Sequence, residues 1–242
     1  MIPKVIHYCW FGKKPLPAAV KRCIRSWKRF CPDYQIIQWN EDNFDVRRHL
    51  FMRQAYDAQK WVFVSDVARL MIVWTHGGVY LDTDVELLQP LDSLLAYKAY
   101  FGMEGVAINT GVGFGAERGN PLVGAMLRAY QDAPFLKADG QYDTEPCPVK
   151  NTRAARDFGY VENGSLQEIQ GMLFLPPEYL CPLDYRTMNA GVTPKTISIH
   201  HYSMSWMSAG EKAYFRYQWM IHAMKRNRLG RLVIRIKKRI LP

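Results

Sequence analysis

Two aspartates stand two residues apart in the segment GGVYLDTDVELLQPLD, which covers residues 77–92. Side chains two apart on a strand point the same way, so Asp82 and Asp84 would share one face. Tyr80 and Glu86 would lie on that face too. Because neighbouring carboxylates repel each other, a hard cation such as Mg²⁺ or Mn²⁺ would stabilise them and could bridge to phosphate oxygens. The pattern predicts a metal site, with a solvated acidic strand edge as the alternative.

A pair of histidines near the C-terminus, in the segment HHYSMSW at residues 200–206, offers further metal ligands. Adjacent side chains of an extended segment point in opposite directions, so at most one of the two can reach a given metal. The residues alone do not assign this role to either histidine.

The elements that position these residues alternate between strand and helix. Apolar periodicity predicts strands at 4–10, 34–39, 79–86, 99–103 and 196–200. It predicts helices at 16–31, 65–76, 121–131 and 211–226, with Ser65 or Asp66 as the N-cap of the second. This alternation predicts an α/β fold, and 242 residues with 48% hydrophobic content are enough for one sizeable domain. We expect that domain to cover 1–222.

The net charge of +10 is concentrated at the C-terminus, where residues 225–239 hold eight basic residues and no acidic one. On a helix over 223–242, five apolar residues would form one narrow face: Leu229, Leu232, Val233, Ile236 and Ile240. This pattern indicates a basic amphipathic helix lying on an anionic membrane surface. A terminal helix docked on the body is the alternative. Nucleic-acid binding is disfavoured, because this tail has no aromatic residue for base stacking.

Cysteine use and the N-terminus bear on the compartment. The five cysteines form no CxxC pair, so neither a disulfide framework nor a structural zinc is indicated. The apolar N-terminal stretch is too short for a signal peptide. Together with the basic tail, these features predict a cytoplasmic protein, peripheral on the cytoplasmic face of the membrane.

Four blocks in order resemble the family 32 glycosyltransferases, the DXD-containing group that includes capsular-polysaccharide sugar transferases. The blocks are IPKVIHYCWFG (2–12), SDVARLMIVWTHGGVYLDTDVELLQPLD (65–92), NTGVGFGAERGNPL (109–122) and HHYSMSW (200–206). The donor site is also similar to that of glucosylating toxins. The resemblance implies a GT-A fold, a single α/β domain with a mixed, mostly parallel sheet and a Rossmann-like nucleotide-binding half.

The same resemblance implies a function. It is the retaining, Mn²⁺- or Mg²⁺-dependent transfer of a hexose from a UDP- or GDP-sugar to a glycan or lipid-linked saccharide in surface polysaccharide synthesis. A metal-dependent nucleotide-sugar hydrolase or nucleotidyltransferase is one alternative. A non-catalytic basic protein that binds membranes or nucleic acids is another.

The resemblance also implies roles for individual residues. Asp84 contacts the metal directly, and Asp82 faces the ribose or the sugar. The segment HHYSMSW completes the metal site, and we predict that His201 is the ligand that joins Asp82 and Asp84. Trp10 stacks on the base, Ser65, Asp66 and Arg69 contact ribose and sugar hydroxyls, and Ser205 and Trp206 belong to a loop that closes over the diphosphate. Separately, the glycines of segment 111–119 predict a backbone that passes close to the donor or acceptor, with Asn109 offering its amide to the sugar.

From the residues alone, Trp10 could equally belong to the core. Asp66 and Arg69, one helical turn apart, could simply form a surface salt bridge. Neither Glu104 nor Asp184 is singled out as a catalytic nucleophile, so the catalytic base is left unassigned.

Overall fold

The computed structural model describes residues 1–184, 187, 189–203, 210, 213, 214 and 217. Most of the predicted helix at 211–226 lies outside these residues. So do Ser205, Trp206 and the basic segment 223–242, whose predictions therefore stay predictions. None of the helices in the described part of the chain has the length and apolarity needed to cross a bilayer.

The described part of the chain contains both strands and helices, with five consecutive strands in its middle that no α-helix separates. The strands are β1 (Val5–Cys9), β2 (Gln35–Trp39), β3 (Gly78–Tyr80), β4 (Val85–Leu87), β5 (Ala99–Glu104), β6 (Ala107–Ile108), β7 (Phe114–Ala116), β8 (Gln167–Ile169), β9 (Met172–Leu175), β10 (Leu183–Asp184), β11 (Asn189–Ala190) and β12 (Ser198–His200). The α-helices are α1 (Ala18–Phe30), α2 (Leu50–Asp57), α3 (Trp61–His76), α4 (Pro121–Arg128), α5 (Cys147–Arg156) and α6 (Pro177–Leu180).

The central sheet has the strand order β2-β1-β3-β7-β5-β9-β8, and β6 pairs with β5. β1 runs parallel to β2 and β3, and β5 runs parallel to β9, whereas β7 is antiparallel to both β3 and β5. Five of the eight strands therefore point the same way, and β6, β7 and β8 oppose them. The mixed, mostly parallel sheet flanked by helices confirms the predicted fold class.

Two hydrophobic clusters cover the two faces of this sheet. Along β5, Tyr100 belongs to one cluster and its neighbour Phe101 to the other, as the alternation of a strand requires. One cluster packs the sheet against α2, α3 and α4, and the other contains Trp27 of α1 together with residues of β4. The site residues described below are attached to this doubly covered sheet.

The strand predicted for 79–86 is interrupted in the structure. β3 ends at Tyr80, and β4, which begins at Val85, pairs with β12 in a separate two-stranded sheet. A turn joins them and is closed by the hydrogen bond from Val85 N–H to Asp82 O at 3.0 Å. At the start of this turn, Asp82 N–H donates to Gly111 O at 3.3 Å. The two aspartates therefore lie in a turn and not on a continuous strand face.

Helix α3 begins four residues before the predicted start, with Lys60 as N-cap and no side-chain cap. The prediction of Ser65 or Asp66 as the cap is wrong. The first turn is instead stabilised by packing, since Trp61 lies edge-on to Tyr56 with ring centroids 5.1 Å apart. The early start places Ser65 and Asp66 inside the helix.

Candidate metal and donor site

The site lies at one edge of the central sheet. β1 and β3 are parallel, with His7 opposite Tyr80, so both strands end on the same edge, next to the turn 81–84. β5 ends there as well, because Phe101 and Tyr80 both pair with Phe114, the first residue of β7. The carboxyl edge of the strands is where α/β proteins bind ligands.

Asp82 is held from the N-terminal half of the chain. The Tyr80 hydroxyl donates to its Oδ1 at 3.0 Å, and Arg69 Nη1 lies 3.5 Å from its Oδ2. Burial raises the pKa of Asp82, and the Asp84 carboxylate raises it further, although the charge of Arg69 opposes the shift. A nearby cation would relieve this crowding of negative charge.

Arg69 is buried behind Asp82. Its Nη2 contacts Asp66 Oδ1 at 2.6 Å, its Nε donates to Ser65 O at 3.1 Å, and its guanidinium lies 5.2 Å from the ring centre of Tyr80. Asp66 is enclosed as well, and burial raises its pKa against the effect of Arg69. The pair is therefore not the surface salt bridge that its spacing allowed.

The donor contacts predicted for this part of α3 stay predictions. The Ser65 hydroxyl donates to Trp61 O at 3.1 Å, and Asp66 is only 4% exposed. Arg69 connects α3 to the edge of the sheet through Asp82.

Asp84 is held by the last residue of β12 and by the segment that follows this strand. Its Oδ1 lies 3.1 Å from His200 Nε2, and its Oδ2 accepts a hydrogen bond from Ser203 N at 2.7 Å. Burial alone would raise the pKa of Asp84, but the charge and hydrogen bond of His200 and the Ser203 amide outweigh it and lower the pKa. Burial likewise opposes protonation of His200, yet Asp84 raises the pKa of the imidazole well above its usual value.

Asp82, Asp84 and His200 form a possible metal site. One ligand atom from each lies within 4.8 Å of the others. His200 Nδ1 is buried and has no hydrogen-bond partner among the described residues, and the ring packs edge-on against Tyr202 with centroids 4.3 Å apart. Two carboxylates and an imidazole suit Mn²⁺ and related divalent ions.

The third member of this cluster differs from the residue predicted from the sequence. His201 Nε2 lies 2.7 Å from Glu86 Oε2, and its side chain is 44% exposed. In the antiparallel pair of β12 and β4, His200 stands opposite Val85, which places it next to Asp84. The structure therefore favours His200 in place of His201 as the third ligand.

Gly111 leaves room for the polar groups around Asp82. A Cβ atom on this glycine would lie 2.5 Å from Asp82 Oδ2, 2.8 Å from Arg69 Nη1 and 3.0 Å from Asn109 Oδ1. Asn109 is buried; its Oδ1 accepts from Gly111 N at 2.8 Å, and its Nδ2 donates to Glu104 Oε2 at 2.7 Å. The glycine-rich block therefore shapes the wall of the site beside Asp82.

Trp10 follows β1 at the same edge and is partly buried. Its indole Nε1 donates to Lys14 O at 2.6 Å, and its ring packs against the cluster of α1. Gly12 then turns the chain with a φ of 92°, a conformation that favours glycine. Base stacking by Trp10 stays a prediction.

Sequence reasoning missed three contacts at this edge. Glu104 accepts from Asn109 and also from the Tyr202 hydroxyl at 3.1 Å, and Ser203 uses its backbone amide. Tyr202 and Ser203 belong to the HHYS block, which could have drawn attention to them. Glu104 carries no sequence signal of its own.

Comparison with known proteins shows which proteins this chain is similar to. Residues 17–101 match the family model of the glycosyltransferase sugar-binding region containing the DXD motif, which confirms the predicted resemblance. Inositol phosphoceramide mannosyltransferase 3 of Schizosaccharomyces pombe is 30% identical over 134 residues, 52% of this chain and 36% of that protein. Human alpha-1,4-N-acetylglucosaminyltransferase is 33% identical over 76 residues, 30% of this chain and 19% of that protein.

The mannosyltransferase relatives are longer than this chain. The chain spans about a third of the length of the mannosyltransferases it matches, with 36%, 33% and 30% of each covered. The PaToxG glycosyltransferase structure is 21% identical, with a TM-score of 0.49, and the match covers 64% of this chain and 68% of that one.

Proposed function

We propose that this chain, which carries the DXD-containing sugar-binding region of glycosyltransferases, transfers a hexose from a UDP- or GDP-sugar to a hydroxyl of a saccharide acceptor. The observation that carries the proposal is the cluster of Asp82, Asp84 and His200, with ligand atoms within 4.8 Å of one another at the carboxyl edge of the sheet. Such a cluster can present a divalent cation to the diphosphate of a nucleotide sugar.

The two aspartates and His200 would hold Mn²⁺ or Mg²⁺, and the nitrogen ligand favours Mn²⁺. Bound there, the ion would neutralise the charge that develops on the departing diphosphate. In the transfer, the bond from the anomeric carbon to the diphosphate oxygen breaks and a bond to the acceptor oxygen forms. The acceptor proton leaves with the diphosphate, and the anomeric configuration is retained.

The chain's own residues prepare the site for this reaction. Arg69, fixed by Asp66 and Ser65, holds the Asp82 carboxylate at the sheet edge without needing the metal. The Ser203 amide orients Asp84. Because these partners are in place before the donor arrives, little reorganisation is needed when the diphosphate binds.

The names of the relatives suggest the substrates. Three fission-yeast relatives are inositol phosphoceramide mannosyltransferases, so we propose that the donor sugar is a mannosyl-type hexose and that the acceptor is a glycan or a lipid-linked saccharide. Surface polysaccharide synthesis, as in a capsule, is the setting that we propose. There, the basic segment 223–242 would hold the enzyme on the cytoplasmic face of an anionic membrane.

A thermal-shift panel tests the donor site. UDP- and GDP-sugars are added with Mn²⁺ and then with a chelator, because a ligand that binds the native state raises its apparent stability. We expect a shift for the sugars of one nucleotide that disappears on chelation. No shift with any donor, or one that persists after chelation, would contradict the proposal. If the rate of donor turnover is the same with and without added saccharide acceptors, the result would favour a nucleotide-sugar hydrolase.

A further inference from the structure

Glu104 contacts two separate parts of the site. It is the last residue of β5, which lies between β7 and β9 in the central sheet. Its Oε2 accepts from Asn109 Nδ2 at 2.7 Å and its Oε1 accepts from the Tyr202 hydroxyl at 3.1 Å. Hydrogen bonds to a carboxylate are stronger than those between neutral groups. One carboxylate on a rigid strand thus ties the loop after β6 to the segment after β12.

On the first side, Glu104 fixes the orientation of the Asn109 amide. With Nδ2 donating to Glu104, the amide must turn Oδ1 towards Gly111, whose N–H it accepts at 2.8 Å. Gly111 O in turn accepts from Asp82 N at 3.3 Å. A short chain of hydrogen bonds therefore leads from Glu104 to the backbone of the first metal-site aspartate.

On the second side, Glu104 holds Tyr202 in a backbone conformation that a non-glycine residue rarely adopts, with a φ of 48°. The Tyr202 hydroxyl also lies 2.9 Å from Cys181 Sγ. This bend directs the next amide, that of Ser203, onto Asp84 Oδ2. The same carboxylate therefore reaches the second aspartate of the motif through Tyr202.

We propose that Glu104 is a positioning residue that fixes the relative placement of Asp82 and Asp84 from both sides of the site. It acts through Asn109 and Tyr202 and does not itself need to touch the substrate. The consequence for binding a nucleotide diphosphate rests on the proposed function. The coupling of the two segments is a property of the unliganded protein and can be measured separately.

Hydrogen exchange on the unliganded protein tests the coupling. Glu104→Ala should speed exchange at two amides about 90 residues apart, those of Gly111 and Ser203. Gly111 loses the fixed orientation of its acceptor Asn109, and Ser203 loses the hold on Tyr202 that directs its amide onto Asp84. Glu104→Gln keeps one acceptor oxygen and should give intermediate rates. Glu178→Gln is the matched control. Its carboxylate accepts from the Thr193 hydroxyl at 2.8 Å, so the change should affect only residues around 193–196.

Calorimetric titration with Mn²⁺ plus GDP and with Mn²⁺ plus UDP tests the consequence. We expect Glu104→Ala to weaken binding of the preferred nucleotide about tenfold, the loss of one charged hydrogen bond. Tyr202→Phe should weaken it about threefold. The double variant should bind no worse than Glu104→Ala, because the two groups act as a unit. Glu178→Gln should bind like the wild type.

The outcomes separate the two proposals. If the wild-type protein binds neither nucleotide, the proposed function fails, and the exchange rates alone decide whether Glu104 couples the segments. Unchanged exchange at Gly111 and Ser203 in the Glu104 variants would overturn the inference. If the wild-type protein does bind a nucleotide, an unchanged nucleotide affinity in the Glu104 variants would overturn it as well. If Glu104→Ala does not fold, Glu104→Gln and Tyr202→Phe supply the same comparison.

Discussion

Two buried histidines, His7 in β1 and His200 in β12, show how the same residue serves the fold in one region and the site in another. His7 Nε2 contacts Gly77 O at 2.9 Å, and its Nδ1 accepts from Trp39 Nε1 at 3.1 Å. Burial lowers its pKa to about 4. The partner of His200 is the carboxylate of Asp84, which raises the pKa of the His200 imidazole. Neutral partners keep a buried histidine uncharged, whereas a carboxylate makes it part of an ionic site.

The largest expected effect comes from removing the charge opposite His200. Asp84→Asn should lower metal-dependent turnover about 1000-fold, because the substitution removes a carboxylate ligand of the proposed metal site. The protein should stay folded, since the asparagine oxygen can still accept from the Ser203 amide. Turnover assays and circular dichroism check both points. Glu86→Gln is the control, and equal activity of Asp84→Asn and wild type would remove Asp84 from the metal site.

Lowering the pH should destabilise the folded protein by protonating His7. Its pKa is near 6.5 in the unfolded chain and about 4 in the folded one, so the unfolded state binds more protons between these values. Stability is therefore lost as pH falls from 6.5 to 4, by up to ~3 kcal/mol. Denaturant unfolding at several pH values should show a flatter profile for His7→Gln. Parallel profiles for the two proteins would mean that His7 protonates freely in the fold.

Replacing each of the adjacent histidines distinguishes the site from its surroundings. His200→Gln should weaken Mn²⁺ binding about 10- to 100-fold, because an amide is a poorer ligand than an imidazole. His201→Gln removes an exposed contact with Glu86 and should change the affinity less than about fivefold. Metal titration measures both. A larger loss for His201→Gln would restore the ligand predicted from the sequence.

The smallest effect expected is steric. Gly111→Ala should weaken Mn²⁺-dependent nucleotide binding about tenfold, because the new methyl group would push the Asp82 carboxylate aside at a cost of ~1–3 kcal/mol. Gly191→Ala is a matched control, since a Cβ there would meet only Pro182 O at 3.9 Å. Calorimetry on both variants checks this. Wild-type binding by Gly111→Ala would show that Asp82 has room to move.

Much of the fold was predictable because its signals are local. The strands at β1, β2 and β5, the helices α1 and α4 and the end of α3 at Gly77 follow from periodicity and glycine placement. α2 went unpredicted, and α3 began early because packing of Trp61 replaced a polar cap. The sequence also indicated the two aspartates as a metal site.

The partners of those aspartates could not be predicted, because they depend on contacts between distant parts of the chain. Which histidine meets Asp84 is set by the pairing of His200 with Val85, and a shift of one residue would exchange the two side chains. The burial of Arg69 depends on how α3 lies on the sheet. Glu104 gains its role from Tyr202, 98 residues later in the chain.

The late position of β12 has a consequence for synthesis of the protein. A chain that has emerged from the ribosome only as far as residue 195 already contains the sheet and both aspartates. It still lacks His200 and the Ser203 amide, which complete the surroundings of Asp84. Contacts over such a sequence separation form late and slowly in folding. The nascent protein would therefore complete the surroundings of Asp84 only after all strands of the central sheet have been translated.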